Sequence, residues 1–435
     1  MTAPEARASL AILHLTNQSG DPDRLYFSEG ITEVLANALT GVRALRVASL
    51  GSTLPYRGRS PAPGEVAGAL GVAFVLDGGV RRFGQQVRIT LRLSKSDGTA
   101  AWSTEVDRKM DDFPPLLPDL GRQILAALAV EPLPAERPAL ERPPTANALA
   151  LDAWLRGRHT AGQIRRSSQE FAKQMYADAL SFDPDLALAH AGTADCHALL
   201  FSYWDSSREN LDAADAASAR AVALAPEVAE THVSRGAALA LLKRYDEADR
   251  EFQTALDLKP NLFEARYQYA RSCRAAGRFP EAARLFEEAC ALRPEDYATP
   301  SLLASVYASL GRNEEAITIQ RTALQLTERW LKLNPDDERA LYLGAGALSA
   351  LGDTGRAREW AKRAVAMEPD DSAVLYNVAC VYSQLGLRDS AIDLLEQALR
   401  SGFGHWEWIE HDSDLDPLRK DPRFQALRPG TATTG

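Results

Sequence analysis

Along the first 130 residues the spacing of apolar positions changes period several times. "SLAILHL" (Ser9–Leu15) is a short continuous apolar run, the pattern of a buried strand. In "FSEGITEVLANALT", Ile31, Val34, Leu35, Ala38 and Leu39 fall on one face of a helix. "LRVAS" predicts a short strand, and "GEVAGAL" a short helix started near Pro63. "AFVLDGGVRRFGQQVRITLRLS" predicts a hairpin turning near Phe83–Gln85, because Val87, Ile89, Leu91 and Leu93 alternate as in a half-buried strand. "AWSTEVD" predicts a further strand after the Asp97–Gly98 turn, and a last helix is predicted from about Asp119 to Val130. Residues 1–7 form a tail. Residues 8–130 are expected to fold as an α/β domain with a mixed sheet.

Residues 131–145 interrupt this pattern. In "EPLPAERPALERPP", five of fourteen residues are proline. Proline lacks the amide hydrogen and restricts the residue before it, so a semi-stiff linker is predicted here. Beyond it the pattern turns wholly helical and repeats. Pro184, Pro226, Pro260, Pro294, Pro335 and Pro369 each end an apolar run, with spacings of 42, 34, 34, 41 and 34. A recurrent 34 is the tetratricopeptide period. With that proline as position 32, position 20 is Ala172, Ala214, Ala248, Ala282, Ala316, Ala357 and Ala391. Position 27 is Ala179, Ala221, Ala255, Ala289, Ala323, Ala364 and Ala398. Small residues are required where two antiparallel helices cross closely, and Gly236 fills position 8 of the third repeat. Gly277, Gly311, Gly352 and Gly386 stand where a left-handed residue ends each first helix.

Residues 146–403 are therefore read as seven helical pairs in an all-α, right-handed TPR superhelix, each pair burying the apolar stripe of the next. Two spacings exceed the period. The excess of 8 is assigned to a longer loop at "FSYWDSSRE", and the excess of 7 to a longer second helix in pair five, about Glu314 to Leu333. Seven residues are close to two turns, so such a helix keeps its inward face. Residues 404–428 are read as a cap in which Trp406, Trp408, Ile409, Leu415, Leu418, Phe424 and Leu427 cover the last pair and the acidic residues face water. Residues 429–435 form a tail. Asp412, Asp414 and Asp416 alternate as in a calcium loop, but Pro417 and Arg423 then occupy the places of the obligatory glycine and bidentate glutamate, so no metal site is assigned.

Two stretches also resemble known families. "LTNQSGDPDRLYFSEGITEVLANAL" together with "YRGRSPAPGEVAGALGVAFVLDGGVRRFGQQVRITLRLSKSDGTAAWSTEVDR" resembles the TolB-like N-terminal domain, a module found in bacterial proteins beside tetratricopeptide arrays and often after a cyclase, kinase or DNA-binding module. The resemblance covers residues 8–130 and implies a non-catalytic sensing or docking role. It departs at "FPPLLPDL", whose prolines imply a late start for the final helix. The ending "DLDPLRKDPRF" is similar to the closing segment of the same cyclase- and kinase-associated repeat proteins.

Charge and motif content narrow the function. The net charge is -10. Residues 1–130 carry 14 basic and 13 acidic side chains, the remainder 35 and 46. No basic cluster suits nucleic acid or an anionic membrane. No apolar stretch is long enough to span a bilayer and the N-terminus lacks a secretory pattern, so a cytoplasmic protein is expected. The four cysteines, Cys196, Cys273, Cys290 and Cys380, have no metal or redox spacing. Walker A, G-x-G-x-x-G, H-E-x-x-H and G-x-S-x-G motifs do not occur, so no catalytic residue and no cofactor is assigned. The inner groove remains. Its lining positions include Trp154, Tyr267, Arg271, Arg274, Tyr342 and Tyr376, and aromatic and arginine side chains are the usual anchors of peptide interfaces. The lysine and asparagine of a carboxylate clamp are replaced by Tyr267 and Arg271. The groove thus points to a non-enzymatic protein that binds a protein or peptide, and the resemblance implies a scaffold or regulator in bacterial signalling. The alternative is the regulatory part of an adenylate cyclase or protein kinase system whose catalytic domain is not in this chain.

Overall fold

The computed structural model describes residues 8–404 and 406–428. The two tails, 1–7 and 429–435, lie outside the described residues, as does the side chain of Trp408. The N-terminal part is built on a sheet of six strands: β1 (Ala8–Ile12), β2 (Thr16–Asn17), β3 (Leu45–Val47), β4 (Phe74–Phe83), β5 (Gln86–Lys95) and β6 (Ala100–Lys109). The order is β3-β1-β4-β5-β6, with β2 pairing β4. β1 runs parallel to β3 and β4, while the β4–β5 and β5–β6 pairs are antiparallel, so the sheet is mixed. The alternation in β5 has its cause in packing. Val87, Ile89, Leu91 and Leu93 are at most 1% exposed and turn to the core.

Four helices accompany the sheet: α1 (Leu25–Thr40), α2 (Leu50–Thr53), α3 (Pro63–Leu70) and α4 (Leu116–Ala127). α4 begins three residues before the predicted Asp119. Pro118 is its third residue, and amides of the first turn have no intrahelical acceptor to lose, so proline is harmless there. The linker expectation needs a larger correction. Within the proline-rich stretch Arg137–Glu141 forms a short helix, α5, with Pro138 in its first turn and Leu140 buried. Nor does this stretch hold two bodies apart. One continuous apolar core contains Phe27, Ile31 and Leu35 of α1 together with Leu151, Trp154 and Leu155 of the repeat region. A Cβ on Gly30 would stand 2.7 Å from the Leu155 side chain, so glycine permits this close approach. Polar contacts fix the orientation. Tyr26 Oη donates to Asp152 at 2.7 Å, and Arg158 Nη2 donates to Glu33 at 3.0 Å.

Seven helical pairs follow among the described residues. Their first and second helices are Ala148–Ala161 and Arg166–Phe182, Ala187–Tyr203 and Arg208–Leu224, Ala229–Leu241 and Tyr245–Leu258, Phe263–Ala275 and Phe279–Leu292, Ala298–Ser309 and Asn313–Leu333, Glu338–Ala350 and Thr354–Met367, and Ser372–Gln384 and Arg388–Arg400. Thirteen of the fourteen alanines at positions 20 and 27 are 0% exposed. Ala316 is the exception. It is half-buried, and in its long helix Ala323 and Thr327 take the buried places. Gly236 works as the crossing requires, since a Cβ there would stand 2.7 Å from the Phe252 ring. Gly277, Gly311, Gly352 and Gly386 all have φ between +72° and +85°. In pair three the same left-handed place is held by Lys243 at φ +60°.

The far end of the array is closed by helices Trp406–His411 and Pro422–Ala426 around a 3-10 helix, Ser413–Leu418. Ile409, Leu415, Leu418 and Phe424 bury themselves against Leu375, Ile392 and Leu395 of pair seven. The array is thus sealed by α1 at one end and by this segment at the other, as a stack of amphipathic pairs needs.

Candidate functional site

First helices of the pairs face a common concave groove of about 1440 Å³, reaching from Trp154 in pair one to Asp414 beyond pair seven. All six side chains singled out from the sequence line it, but they are not equivalent there. Trp154, Tyr376 and Tyr342 are 2%, 6% and 8% exposed, so each offers only an edge. The Arg158 guanidinium lies 5.1 Å from the Trp154 ring. Tyr376 stacks on Phe403, with ring centroids 4.3 Å apart, and donates its hydroxyl to Asp412 at 2.5 Å. Burial keeps the Tyr342 phenol far above its ordinary pKa, hence neutral. Tyr267 and Arg271 are half-buried, and Arg274 is exposed.

Two groove residues escaped the sequence reading. Arg339 is the second residue of the first helix of pair six and donates to the Tyr267 hydroxyl at 3.3 Å. Its place in the 34-residue ruler is a lining position, so that signal was present. Tyr203 is the other, and it corrects the predicted loop. The excess in pair two does not go mainly into a loop. Both helices of that pair run to 17 residues, against 13 and 14 in pair three, and the connection is only Trp204–Ser207. No proline or glycine interrupts "FSYW", so the helix continues through it. The lengthened hairpin carries its tip across to pair seven. Trp204 Nε1 donates to Asp371 Oδ2 at 2.6 Å, and Ser372 Oγ donates to the Tyr203 carbonyl at 2.7 Å. Arg165, in the turn of pair one, makes a second crossing. It binds the buried Glu338 carboxylate through Nε at 3.0 Å and Nη2 at 2.7 Å. The superhelix therefore closes on itself.

The closure brings the Tyr203 hydroxyl into the groove, where it accepts from Arg271 Nη2 at 3.1 Å. Burial pushes the Tyr203 phenol up. Arg271, Arg339 and Arg274 together outweigh that and hold it below the ordinary tyrosine value.

The acidic C-terminal segment behaves differently from the expectation that it faces water. Asp416 is exposed, but Asp412 and Asp414 are half-buried. With Cys380 they offer three ligand-type atoms within 4.8 Å of one another. Both carboxylates already have hydrogen-bond partners. Asp412 accepts from the Asp414 amide at 2.9 Å and from Tyr376 and Cys380, while Asp414 accepts from Gln384 at 2.7 Å. Burial, with Asp412 and Asp414 adding to it, pushes the Cys380 thiol well up. Burial beside Asp412 raises Asp414 to about 6. The arrangement acts as an N-cap that ties the sealing segment to pair seven.

Family models described as "Tetratricopeptide repeat" match residues 227–295, 296–370 and 372–401. The "Putative adenylate cyclase 3" of Rhizobium meliloti (strain 1021) is 31% identical over 247 residues, which are 56% of this chain and 42% of that protein. A chloroplastic protein of Arabidopsis thaliana is 42% identical over 60 residues, 14% of this chain and 18% of that one. The chain thus spans less than half the length of these curated relatives. Among solved structures, YrrB, "a TPR protein with an unusual peptide-binding site", is 20% identical, covering 44% of this chain and 96% of its own, with a TM-score of 0.29. A thermophilic TPR protein of Thermus thermophilus is 23% identical, covering 43% and 99%, with a TM-score of 0.35. No helix among the described residues is long and apolar enough to cross a membrane. The chain carries a tetratricopeptide repeat array behind a six-stranded mixed sheet.

Proposed function

We propose that this chain is a non-enzymatic, cytoplasmic scaffold or regulator in bacterial signal transduction, holding a peptide or protein segment in the groove of its repeats. The observation that supports this most is the groove itself: a continuous channel of about 1440 Å³ walled by aromatic and arginine side chains. Such side chains anchor interfaces because each combines large contact area with a directional polar group. In this reading Tyr267, Arg271 and Arg274 contact the ligand, and Trp154, Tyr342 and Tyr376 shape the wall. The α/β domain of residues 8–130 serves as a TolB-like docking or sensing module. A photo-crosslinking amino acid placed at Gln268 in the groove, and separately at Lys362 in the second helix of pair six, tests the assignment in the native cell. Discrete adducts at Gln268 and none at Lys362 are expected. Equal labelling at both positions would remove the groove from the account.

A second reading is favoured by the cyclase relative. The chain would then be a regulatory partner of an adenylate cyclase or kinase whose catalytic domain is separate. Deleting the gene and measuring cellular cyclic AMP decides it, since an unchanged level under all growth conditions tested is incompatible with a cyclase-linked role.

A further inference from the structure

We infer that the middle of the groove is a carboxylate-binding site, formed by Arg271, Arg274 and Arg339 around the Tyr203 hydroxyl, and that it takes an aspartate or glutamate side chain of an extended peptide segment. The inference rests on the groove reading above and narrows its ligand.

The three guanidiniums come from different parts of the array. Arg271 and Arg274 stand one turn apart on the first helix of pair four, and Arg339 is the second residue of the first helix of pair six. Among the described residues none of the three is ion-paired. Among the described residues Arg271 and Arg339 each make one side-chain hydrogen bond, both to tyrosine hydroxyls, at 3.1 and 3.3 Å. Arg274 makes none among the described residues. A guanidinium has five donors, so most of their donor capacity is left unused by the protein. Other cations beside the groove are matched: Arg158 with Glu33 at 3.0 Å, Lys259 with Glu230 at 2.9 Å and Arg293 with Glu264 at 2.6 Å. Three like charges held together repel, and an anion among them relieves that repulsion. The Tyr203 hydroxyl already occupies part of that position. It is carried there by the lengthened pair-two hairpin, as a single hydroxyl acceptor where a carboxylate would offer two oxygens.

The surroundings select the kind of anion. Asp195, Glu230, Glu264, Asp412 and Asp414 also line the groove, and the chain carries a net charge of -10. A nucleic-acid backbone would meet those acids along its length. A single planar carboxylate matches the guanidinium fork and spans only the basic centre. Tyr267, half-buried beside Arg271, offers a ring to apolar neighbours of that side chain.

An array of random decapeptides with amidated C-termini, probed with the full chain, tests this, because only side chains then supply carboxylates. Bound peptides should be enriched in aspartate or glutamate at one position. Replacing that residue by its amide should weaken binding at least about tenfold, as should Arg271→Gln or Arg339→Gln. Circular dichroism matching the parent confirms that each variant is folded, and Lys362→Gln serves as a charge control that should leave binding unchanged. Peptides bound without acidic preference, and equally by the arginine variants, would keep the groove as a peptide site and overturn the carboxylate site. Absence of any bound peptide would overturn both. Selection of an oligonucleotide over every acidic peptide, dependent on the same arginines, would replace the carboxylate with phosphate.

Discussion

Pairs two and five both exceed the repeat length, and both take up the excess as helix, yet they use it in opposite ways. Each ends its extra stretch on a tryptophan whose indole donates to an aspartate at 2.6 Å. Each of those aspartates is the N-cap of a first helix. In pair five the bond is local: Trp330 reaches Asp337, at the cap of the very next helix. In pair two it crosses the superhelix: Trp204 reaches Asp371, 167 residues away. The same chemistry therefore stiffens one joint in one place and closes the whole array in the other. What decides is where the excess lies. Pair five lengthens only its second helix, which starts at the groove with Ile317 and leaves Leu333 at its far end 59% exposed. Pair two lengthens both helices, so the tip itself advances into the groove.

The largest expected effect separates the two tryptophans. Trp204 is 4% exposed, whereas Trp330 is half-buried. Trp204→Ala removes a buried ring and the crossing bond together and should cost about 3–5 kcal/mol in urea unfolding followed by circular dichroism. Small-angle scattering should show a larger radius of gyration, because the closure is lost. Trp330→Ala should cost about 2 kcal/mol and leave the radius unchanged. Equal costs with no change of radius in either variant would erase the distinction. Arg165→Ala comes next. It strips the partner from Glu338, which is 6% exposed, but Arg165 itself is partly in water, so about 1–3 kcal/mol is expected, with part restored by Glu338→Gln.

This contrast also marks how far the residues alone could be read. The alanine ruler was legible because helix crossing is a local steric demand repeated seven times, and the long helix of pair five followed from its near-two-turn excess. The sheet was legible from alternation in β5. The closure was not. A one-dimensional period says nothing of which repeats meet after a superhelical turn, so Tyr203, Trp204 and Arg165 carried no visible partner. Nor does composition reveal that α1 shares a core with pair one, since the prolines of 131–145 read as separation. For the groove, residue types at lining positions could be named, but Trp154, Tyr342 and Tyr376 proved to be wall. Burial depends on neighbours such as Phe403 that lie outside the pair.

Turn chemistry gives a smaller effect that sharpens the same comparison. Pair five turns through Gly311 at φ +72°, whereas pair two's connection contains no left-handed residue. Gly311→Ala should cost about 1 kcal/mol, because a Cβ is strained in that conformation. Ser206→Ala in pair two's tip should cost less. A reversed order, measured by urea midpoint, would mean that the pair-two tip depends on its turn and not on its reach.

The smallest change expected is one of slope against pH. Burial raises the Asp371 carboxyl above its ordinary value, opposed by its bonds from the Val374 amide, the Trp204 indole and the Ala373 amide. A folded-state pKa above the unfolded one means that the native chain holds this proton more tightly. The stabilisation so contributed is full below the unfolded value of about 3.9 and fades as pH rises through the folded one. Asp371→Asn keeps one of the two acceptor oxygens, which serve the cap amides and the indole, and removes the titration. The stability of the parent relative to Asp371→Asn should therefore fall as pH rises from about 4 towards neutrality and then level off. If the difference instead grows with pH, the ionised carboxylate is what holds Trp204, and the crossing bond is charge-assisted at full strength and not a compromise between burial and capping.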